Sequence, residues 1–359
     1  MPYCWKCGAK LDEDTKICEA CGAPVGPPSK PKRKARRPTG VLGVVAVILI
    51  VIVATAAIAA ALAFLPLRTI DAKPQRHTVE YQAGVNTLSL DFTADVAHVN
   101  IGFEDLTGKG LNGEDLVVTL NASATAKVGI LGSPDIFEKP WFRSNDTTVS
   151  NVVTVTSEID VADYGWPWYP SLNVTCDIRI DHSMNVHLDI KTNVGRILMD
   201  TQAGVVLNSL RLEATTGGVK AKLVEDVVIT NDVSVKTTTG GIELSWDNVI
   251  VPNDVQVYVK TTTGGVDINV KQNKRMSRDV ALKAEATTGG VDFALDIQGN
   301  IGAKIESSVT TGGINIARQV GFSGTKSLLH SDNYPADSNF DVSLKTTTGG
   351  IQIYAKHTP

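Results

Sequence analysis

The sequence predicts a mainly β fold: a β-solenoid of stacked 23–25-residue coils, preceded by one transmembrane helix and a small N-terminal module. Three observations predict this arrangement. Pairs of glycines recur after threonine at nearly constant spacing in the C-terminal half, residues 41–65 contain no charged side chain, and four cysteines lie within the first 21 residues. The 359 residues therefore divide into segments of different physical character.

The first segment, residues 1–26, is a cysteine module with the spacing C-x2-C-x10-C-x2-C. Two residues between paired cysteines let one tight turn aim both sulfurs at a single ion. Two such turns complete a tetrahedral site of four thiolates, which favours zinc. The predicted ligands are Cys4, Cys7, Cys18 and Cys21. Because no position is left for water, the Zn²⁺ is expected to be structural and to supply most of the module's folding energy.

Two disulfides are the alternative for these four thiols, and a reducing cytoplasm disfavours them. The segment resembles the short zinc-ribbon domains at the N-termini of many prokaryotic, especially archaeal, membrane proteins. The resemblance covers residues 3–24 and includes both Cys-x-x-Cys-Gly knuckles. It implies a zinc-binding module and leaves the module's partner open.

A basic, proline-rich linker at residues 27–40 follows the module. Its six cations are Lys30, Lys32, Arg33, Lys34, Arg36 and Arg37. Proline residues and like charges oppose compaction, so we expect an extended linker. Basic runs also occur in nucleic-acid-binding tails. Beside an apolar segment, a topology signal is the simpler interpretation, and we expect no nucleic-acid partner.

Residues 41–65 predict one transmembrane helix. A helix of 25 residues would extend about 37 Å, enough to cross a hydrocarbon core of roughly 30 Å. The excess of basic residues before this helix places the N-terminus in the cytoplasm and residues 66–359 outside, with residues 66–79 as a short linker. The charges agree, because residues 1–40 carry 9 basic and 4 acidic side chains, whereas residues 66–359 carry 25 basic and 34 acidic ones.

The last segment, residues 190–357, contains a repeated motif of threonine and glycine. KTTTGG occurs three times, ATTGG twice more and VTTGG once. The first glycines of the pairs, 23, 24, 25, 23 and 37 residues apart, are Gly217, Gly240, Gly264, Gly289, Gly312 and Gly349. A period of this length predicts a repeat architecture, and the long last interval locates an insertion. Gly195, 23 residues before Gly218, marks a degenerate earlier copy.

Each repeat is expected to form a strand, a sharp Thr-Gly-Gly corner and a second strand. Val, Ile and Thr alternate with polar residues on both sides of the corner, with a period of two. Val235 and Ile242 are both expected to point inward although they are seven residues apart. In a regular strand, residues an odd number of positions apart point to opposite faces. The corner must therefore change the parity, which means that it reverses this alternation. Paired glycines permit the dihedral angles that this change requires. Stacked coils would bury the apolar side chains as one core and align the threonines in a ladder.

This region resembles a bacterial and archaeal family of β-strand-repeat domains of unknown function that are called "putative adhesins". The segments TTTGGIELS, TTTGGVDIN and TTGGVDFAL carry the resemblance. It covers residues 190–357 well and residues 80–189 only by analogy. The resemblance implies a solenoid exposed on the cell envelope, and it implies no catalytic residue. Residues 80–189 lack the motif but alternate like strands, and we expect a β-rich part that caps the solenoid.

Two groups of side chains in the predicted ectodomain are candidate binding sites. Glu243, Asp267 and Asp292 each lie two residues after a glycine pair, and stacking would bring these carboxylates together. They could bind a divalent cation such as Ca²⁺, and a solvated face is the alternative. The segment DYGWPWYP contains a second group, namely Tyr164, Trp166, Trp168 and Tyr169. Such a loop can stack on a sugar, lie at a membrane surface or cover the open end of the core.

No enzyme signature is present, and we expect a non-enzymatic protein. The glycine pairs are not followed by Lys-Ser/Thr and a helix, so they are not phosphate-binding loops. Cys176 alternates with apolar residues, which predicts a buried thiol, and an intermolecular disulfide is the alternative. The sequons at Asn121, Asn145 and Asn173 agree with an outside location.

These observations lead to three functional hypotheses. The first is a cell-surface protein whose solenoid acts in adhesion or as an envelope scaffold and binds an unidentified glycan or protein. The second is a transmembrane signalling or assembly factor whose zinc ribbon recruits a cytosolic protein. The third is a surface glycan-active enzyme, whose carboxylate pair would be recognisable only from geometry.

Overall fold

The structure is a computed structural model that describes residues 3–12, 16–25, 49–58, 68–128, 137, 140–161 and 171–359. The chain forms two compact units, Met1–Ala60 and Ala61–Pro359. The linker predicted at residues 27–40 and the aromatic segment at residues 163–170 lie outside the described residues.

In its described residues, the first unit contains the cysteine module and one helix, residues 49–58. All ten residues of this helix are exposed. They belong to the span predicted over residues 41–65, whose other residues lie outside the described ranges. Within those ranges, no helix combines the length and the apolar character that a membrane crossing requires. The transmembrane helix therefore stays a prediction.

The second unit has 25 β-strands in its described residues, and the mainly β prediction is confirmed. The strands before the repeats are β1 (Arg68–Asp71), β2 (Gln75–Glu80), β3 (Thr87–Val96), β4 (His98–Glu104), β5 (Leu116–Val128), β6 (Phe142–Val149), β7 (Val152–Ile159) and β8 (Ser171–Asp181). The next eleven are β9 (Asn185–Val194), β10 (Ile197–Asp200), β11 (Val206–Thr216), β12 (Val219–Leu223), β13 (Val228–Ile229), β14 (Val233–Thr239), β15 (Ile242–Asp247), β16 (Val255–Thr263), β17 (Val266–Gln272), β18 (Val280–Thr288) and β19 (Val291–Gln298). The last six are β20 (Ile301–Thr311), β21 (Ile314–Val320), β22 (Phe322–Thr325), β23 (Leu328–Ser331), β24 (Ser338–Thr348) and β25 (Ile351–Thr358).

These strands form two sheets. The first has the order β1-β5-β8-β4-β10-β12-β15-β17-β19-β25-β21, and β2 also pairs with β5. The second has the order β22-β23-β20-β24-β18-β16-β14-β11-β9-β3-β7-β6, and β13 also pairs with β11. Pairing is parallel from β8 to β21 and from β20 to β7. It is antiparallel only at the ends, where β1, β2, β5, β6 and the β22–β23 hairpin lie.

Each repeat contributes one strand to each sheet, and we call these two strands a strand pair. The predicted change of parity at the corner is confirmed, because Val235 and Ile242 are both buried. The inward side chains of both sheets form one continuous core. Trp246 of the first sheet meets Phe340 of the second edge-on, with ring centroids 6.2 Å apart. The Trp246 Nε1–H is satisfied by Gln272 Oε1 at 3.0 Å, as a buried donor requires.

The corners stack in register along a line that we call the seam. Its first glycines, Gly195 included, have φ between 135° and 143°. A Cβ on Gly264 would overlap the carbonyl oxygen of Gly240, which lies in the neighbouring corner, and the same overlap recurs along the seam. The backbone ladder continues around the corner, because Gly240 N–H donates to Thr263 at 2.8 Å and Ile242 N–H donates to Gly265 at 2.9 Å. At these seven corners, only glycine fits the first position.

Buried threonines satisfy glycine carbonyls on the inner side of the seam. The first threonine of KTTTGG is buried in all three copies, as Thr237, Thr261 and Thr346. The hydroxyls of Thr237 and Thr261 both donate to the Gly240 carbonyl at 2.9 Å, and that of Thr346 donates to Gly289 at 2.9 Å. The second and third threonines are exposed. The predicted ladder of threonines therefore has an outer row on the surface and, in these copies, an inner hydroxyl in the core.

The strand pairs do not stack in chain order, contrary to simple stacking of successive coils. The last pair, β24–β25, is inserted between β18–β19 and β20–β21. The threonine ladder accordingly runs from Thr288 to Thr348 and then to Thr311. The insertion predicted from the long last interval contains the β22–β23 hairpin, which covers the free edge of β20. Every corner presents the same hydrogen-bonding register, so the repeat alone does not determine the order.

The same inversion occurs at the other end of the stack. The pair β3–β4 lies between β9–β10 and β7–β8, and its corner residue Ala97 is in line with Gly195. Strand β9 crosses the boundary predicted between residues 189 and 190, and both sheets continue through it. The linker predicted at residues 66–79 contains β1 and most of β2, both paired with β5. A corner without glycine concealed this earlier copy from the sequence pattern.

Two neighbouring glycines of one corner are predicted to differ strongly in their sensitivity to the same substitution. Gly264→Ala places a Cβ at a positive φ against the Gly240 carbonyl, and we expect a loss of more than about 3 kcal/mol of unfolding free energy. Gly265→Ala is the matched control, because its Cβ would lie 3.9 Å from the nearest atom, the carbonyl oxygen of Gly290. We expect a change within about 1 kcal/mol for this variant. Urea unfolding monitored by tryptophan fluorescence measures both, and equal losses would contradict the proposed role of the seam.

Candidate functional site

The four cysteines of the first unit form a compact sulfur cluster. All four Sγ atoms lie within 4.8 Å of one another. The Sγ atoms of Cys4 and Cys21 are 3.7 Å apart, and those of Cys7 and Cys18 are 3.6 Å apart. The two knuckles are equivalent, because Gly8 N–H donates to the Cys4 carbonyl at 2.9 Å as Gly22 N–H does to Cys18 at 2.8 Å. Among the described residues, no other group of three or more possible ligands is this close.

The electrostatics of the cluster fit a bound cation. Backbone N–H groups of Cys7 and Lys6 lower the pKa of Cys4 to about 6. The N–H of Ala9 lowers the pKa of Cys7, but the neighbouring Cys21 and Cys4 thiols outweigh it and raise that pKa to about 12. Four thiolates this close repel one another unless a metal ion shares their charge. Zn²⁺ bound by all four would neutralise this repulsion and complete a closed, structural site.

The three carboxylates predicted as a cation ladder are neighbours in register on the outer face of the first sheet. Glu243 pairs with Asp267, and Asp267 pairs with Asp292. Glu243 forms a 2.6 Å salt bridge with Lys220, one strand earlier. Burial raises the pKa of Asp267, and the charges of Asp292 and Glu243 raise it further. The structure brings the three residues together, but not their carboxylate oxygens to a common ligand distance.

The predicted aromatic contact group falls in a segment that the structure does not describe. Tyr164, Trp166, Trp168 and Tyr169 lie outside the described residues. Trp141, which precedes them in the sequence, is buried in the main core and packs against Phe137 and Phe142, with ring centroids 5.9 and 6.4 Å away. Trp141 is therefore a core residue rather than a contact residue.

A polar pocket on the outer face of the second sheet was not predicted. It is organised by a β-bulge in β11, where the register shifts between Leu207 and Ser209. Asn208 Nδ2 lies 3.3 Å from His187 Nε2, and His187 Nδ1 lies 2.9 Å from Ser209 Oγ. The signal in the sequence is that the buried leucines Leu207 and Leu210 are three residues apart, an odd number that a regular strand cannot accommodate.

The remaining candidate residues are the three sequon asparagines, which are exposed, and Cys176, which is buried. Asn121, Asn145 and Asn173 are all exposed, so each sequon is accessible. Cys176 is fully buried in β8, as predicted. Desolvation, with a smaller effect of Asp177, raises its pKa well above the usual range of a thiol. The intermolecular disulfide considered for Cys176 would require this strand to open.

Comparison with known families identifies the first module. Residues 3–25 match the model of the zinc-ribbon domain. With four thiols close enough to share one ion, this match confirms Cys4, Cys7, Cys18 and Cys21 as a structural zinc site. No protein among the curated sequences matches the chain.

Three solved structures are similar to most of the chain. A "putative cell adhesion protein" from Clostridium sporogenes is 14% identical with a TM-score of 0.37, over 79% of this chain and 100% of that chain. A "putative adhesin" from Bacteroides fragilis is 13% identical with a TM-score of 0.31, over 80% and 97%. Another from Parabacteroides distasonis is 10% identical with a TM-score of 0.23, over 79% and 97%.

Removal of one zinc ligand is predicted to unfold the ribbon alone. In Cys18→Ser, we expect loss of bound zinc, because one of its four thiolate ligands is removed. The ribbon should then unfold, because structural zinc contributes roughly 10–16 kcal/mol to the folding of such modules. The second unit, Ala61–Pro359, which we call the β unit, is compact by itself and should keep its melting temperature. Zinc content by atomic emission and circular dichroism melting measure the two effects. Glu19→Gln, in the same knuckle but without a ligand atom, is the control and should retain zinc.

The Cys176 thiol is predicted to be unreactive in the folded chain. Zinc-loaded wild type and Cys176→Ser should take up the same amount of maleimide under native conditions, because the thiol is buried and its pKa is raised. In denaturant the wild type should take up one more equivalent, measured by intact mass. Native labelling that Cys176→Ser abolishes would contradict the burial.

Proposed function

We propose that the chain is a non-enzymatic, single-pass membrane protein that presents a β-solenoid on the cell surface as an adhesion or envelope-scaffold module. The observation that carries this proposal is the in-register stack of strand pairs with a common seam. Such a stack displays a long outer surface whose side chains repeat at the spacing between neighbouring strands, about 4.8 Å. Extended surfaces of this kind suit the binding of a polymer or a large partner.

The proposed location rests on the sequence of residues 27–65. The 25 uncharged residues at positions 41–65 follow a strongly basic linker, which favours a cytoplasmic N-terminus and an external β unit. The exposure of Asn121, Asn145 and Asn173 is compatible with that side of the membrane. A reducing cytoplasm would keep the four zinc ligands as thiols.

The described residues contain one contact of the kind found in serine hydrolases, between His187 and Ser209. Its hydrogen-bond directions support the proposal that the protein is not an enzyme. Thr230 donates to Asn208 Oδ1 at 3.0 Å, so Asn208 Nδ2 is the donor to His187 Nε2. This network assigns the imidazole proton to Nδ1, which donates to Ser209 Oγ. Ser209 therefore accepts a hydrogen bond from His187, and the His187 imidazole does not serve as a general base for the Ser209 hydroxyl.

Recruitment of a cytosolic protein by the zinc ribbon is the second candidate function. Three large apolar side chains of the ribbon are exposed, with Tyr3 at 65%, Trp5 at 57% and Ile17 at 58%. So many exposed apolar groups on so small a module favour contact with another protein. This function and surface presentation are compatible in one chain.

Crosslinking on intact cells tests the proposal. A membrane-impermeant lysine crosslinker should modify lysines of the β unit, such as Lys271 and Lys283, and spare Lys6 and Lys10 of the ribbon. We expect captured envelope components to be the same after residues 1–26 are deleted. Modification of ribbon lysines alone would overturn the proposed topology. Loss of every captured component in the deletion variant would favour the recruitment function instead.

A further inference from the structure

The polar pocket on the second sheet has the features of a ligand site. Its volume is about 680 Å³, and side chains from β7, β3, β9, β11 and β14 line it. Short hydroxyl residues leave the space open, and carboxylates surround it. The side chains that the argument uses are Ser89, Asp91, His187, Asp189, Ser209 and Arg211.

The β11 bulge fixes the donor and acceptor pattern on one side of the pocket. It places Asn208 beside His187, and the Asn208 amide holds Nε2 of the imidazole as an acceptor. His187 Nδ1–H is thereby directed at Ser209 Oγ. Because Ser209 already accepts this hydrogen bond, its own O–H is available to donate to a molecule in the pocket.

An acceptor on the neighbouring strand lacks a donor. Asp189 Oδ2 accepts a hydrogen bond from Lys191 at 3.1 Å. Asp189 Oδ1 is buried and has no hydrogen-bond partner in the described residues. Arg211 Nε lies 4.0 Å from Oδ1, and the Arg211 guanidinium also pairs with Glu213 at 2.9 Å. A buried carboxylate oxygen without a donor is costly, and a donor from outside would remove that cost.

The chemistry of the lining selects among ligand classes. The carboxylates of Asp91 and Asp189 disfavour phosphate and other anions. The hydroxyl groups of Ser89 and Ser209 disfavour an apolar ligand, because they would lose their hydration without replacement. No three possible metal ligands approach within 4.8 Å of one another in this part of the described structure. A molecule with many hydroxyl groups satisfies donors and acceptors alike.

We propose that this pocket binds a neutral saccharide, which accepts a hydrogen bond from Ser209 and donates one to Asp189 as the Arg211 side chain moves aside. The pocket thereby deepens the proposed function, since it names a glycan as the surface partner. Among the described residues, its lining contains no phenylalanine, tyrosine or tryptophan, so we expect the sugar to be held by hydrogen bonds without stacking. We therefore expect a dissociation constant of the order of millimolar for a single sugar, and tighter binding only where a polymer engages several chains.

Nuclear magnetic resonance of the purified full chain with labelled histidine tests this proposal. Methyl glycosides of glucose, galactose, mannose and N-acetylglucosamine are titrated separately to about 100 mM, a range set by the expected affinity. At least one should shift the His187 ring resonances to saturation. Ser209→Ala and Asp189→Asn should weaken that binding at least about tenfold. The purified chain is used, so the result does not depend on where the protein resides in the cell.

The first sheet supplies matched controls. Ser245→Ala removes an outward hydroxyl, and Asp247→Asn removes an outward carboxylate that is paired with Lys271 at 3.2 Å. Both should bind the sugar as the wild type does. The proposal is overturned if no glycoside gives a saturable shift of His187, or if Ser209→Ala and Ser245→Ala behave alike. Binding in the pocket together with an internal location of the β unit would refute the surface function alone.

Discussion

At each glycine corner of the seam, a backbone carbonyl of the neighbouring corner occupies the space that a Cβ on the first glycine would need. This steric constraint sets how closely successive strand pairs approach, and the backbone ladder around the corner depends on that approach. The parity change at the corner then turns the apolar side chains of both strands inward. The continuous core follows from this arrangement, and so does the row of exposed threonines. The second glycine has no such restriction, which is why Arg196 can stand at its place beside Gly195.

Many consequences of this constraint could be predicted from the sequence. The spacing of the glycine pairs identified the repeat, and the odd separation of Val235 and Ile242 identified the corner. The cysteine spacing likewise identified the zinc ligands, because short ligand spacings leave few alternatives for four thiols. Each of these predictions depended on local geometry that a few residues determine.

The order of the strand pairs could not be predicted, since identical corners accept one another in any order. The glycine motif does not predict the copy at Ala97, whose corner has no glycine. It also does not predict β1 and most of β2, which are short and polar and lie in the predicted linker at residues 66–79. The pocket at His187 depends on contacts between residues about 20 positions apart in the chain. Periodicity did contain one clue to it, in the spacing of Leu207 and Leu210. For the predicted cation ladder, the sequence indicates the register of Glu243, Asp267 and Asp292 correctly. That register does not bring their carboxylate oxygens within a common ligand distance.

The inward placement of the first and last strand pairs has a consequence for how such a protein can be made and can grow. The pair β24–β25 is hydrogen-bonded along both edges and follows β20–β21 in the chain, so its place stays open until residues 338–358 have been synthesised, and this part of the stack is completed by insertion between two existing pairs. Repeats can be duplicated in the middle, between β11 and β19, without disturbing either closure. Duplication of β24–β25 would instead separate it from β20–β21, the strand pair beyond it in the stack. The length of the stack can thus change during evolution through its interior, while both ends keep their closures.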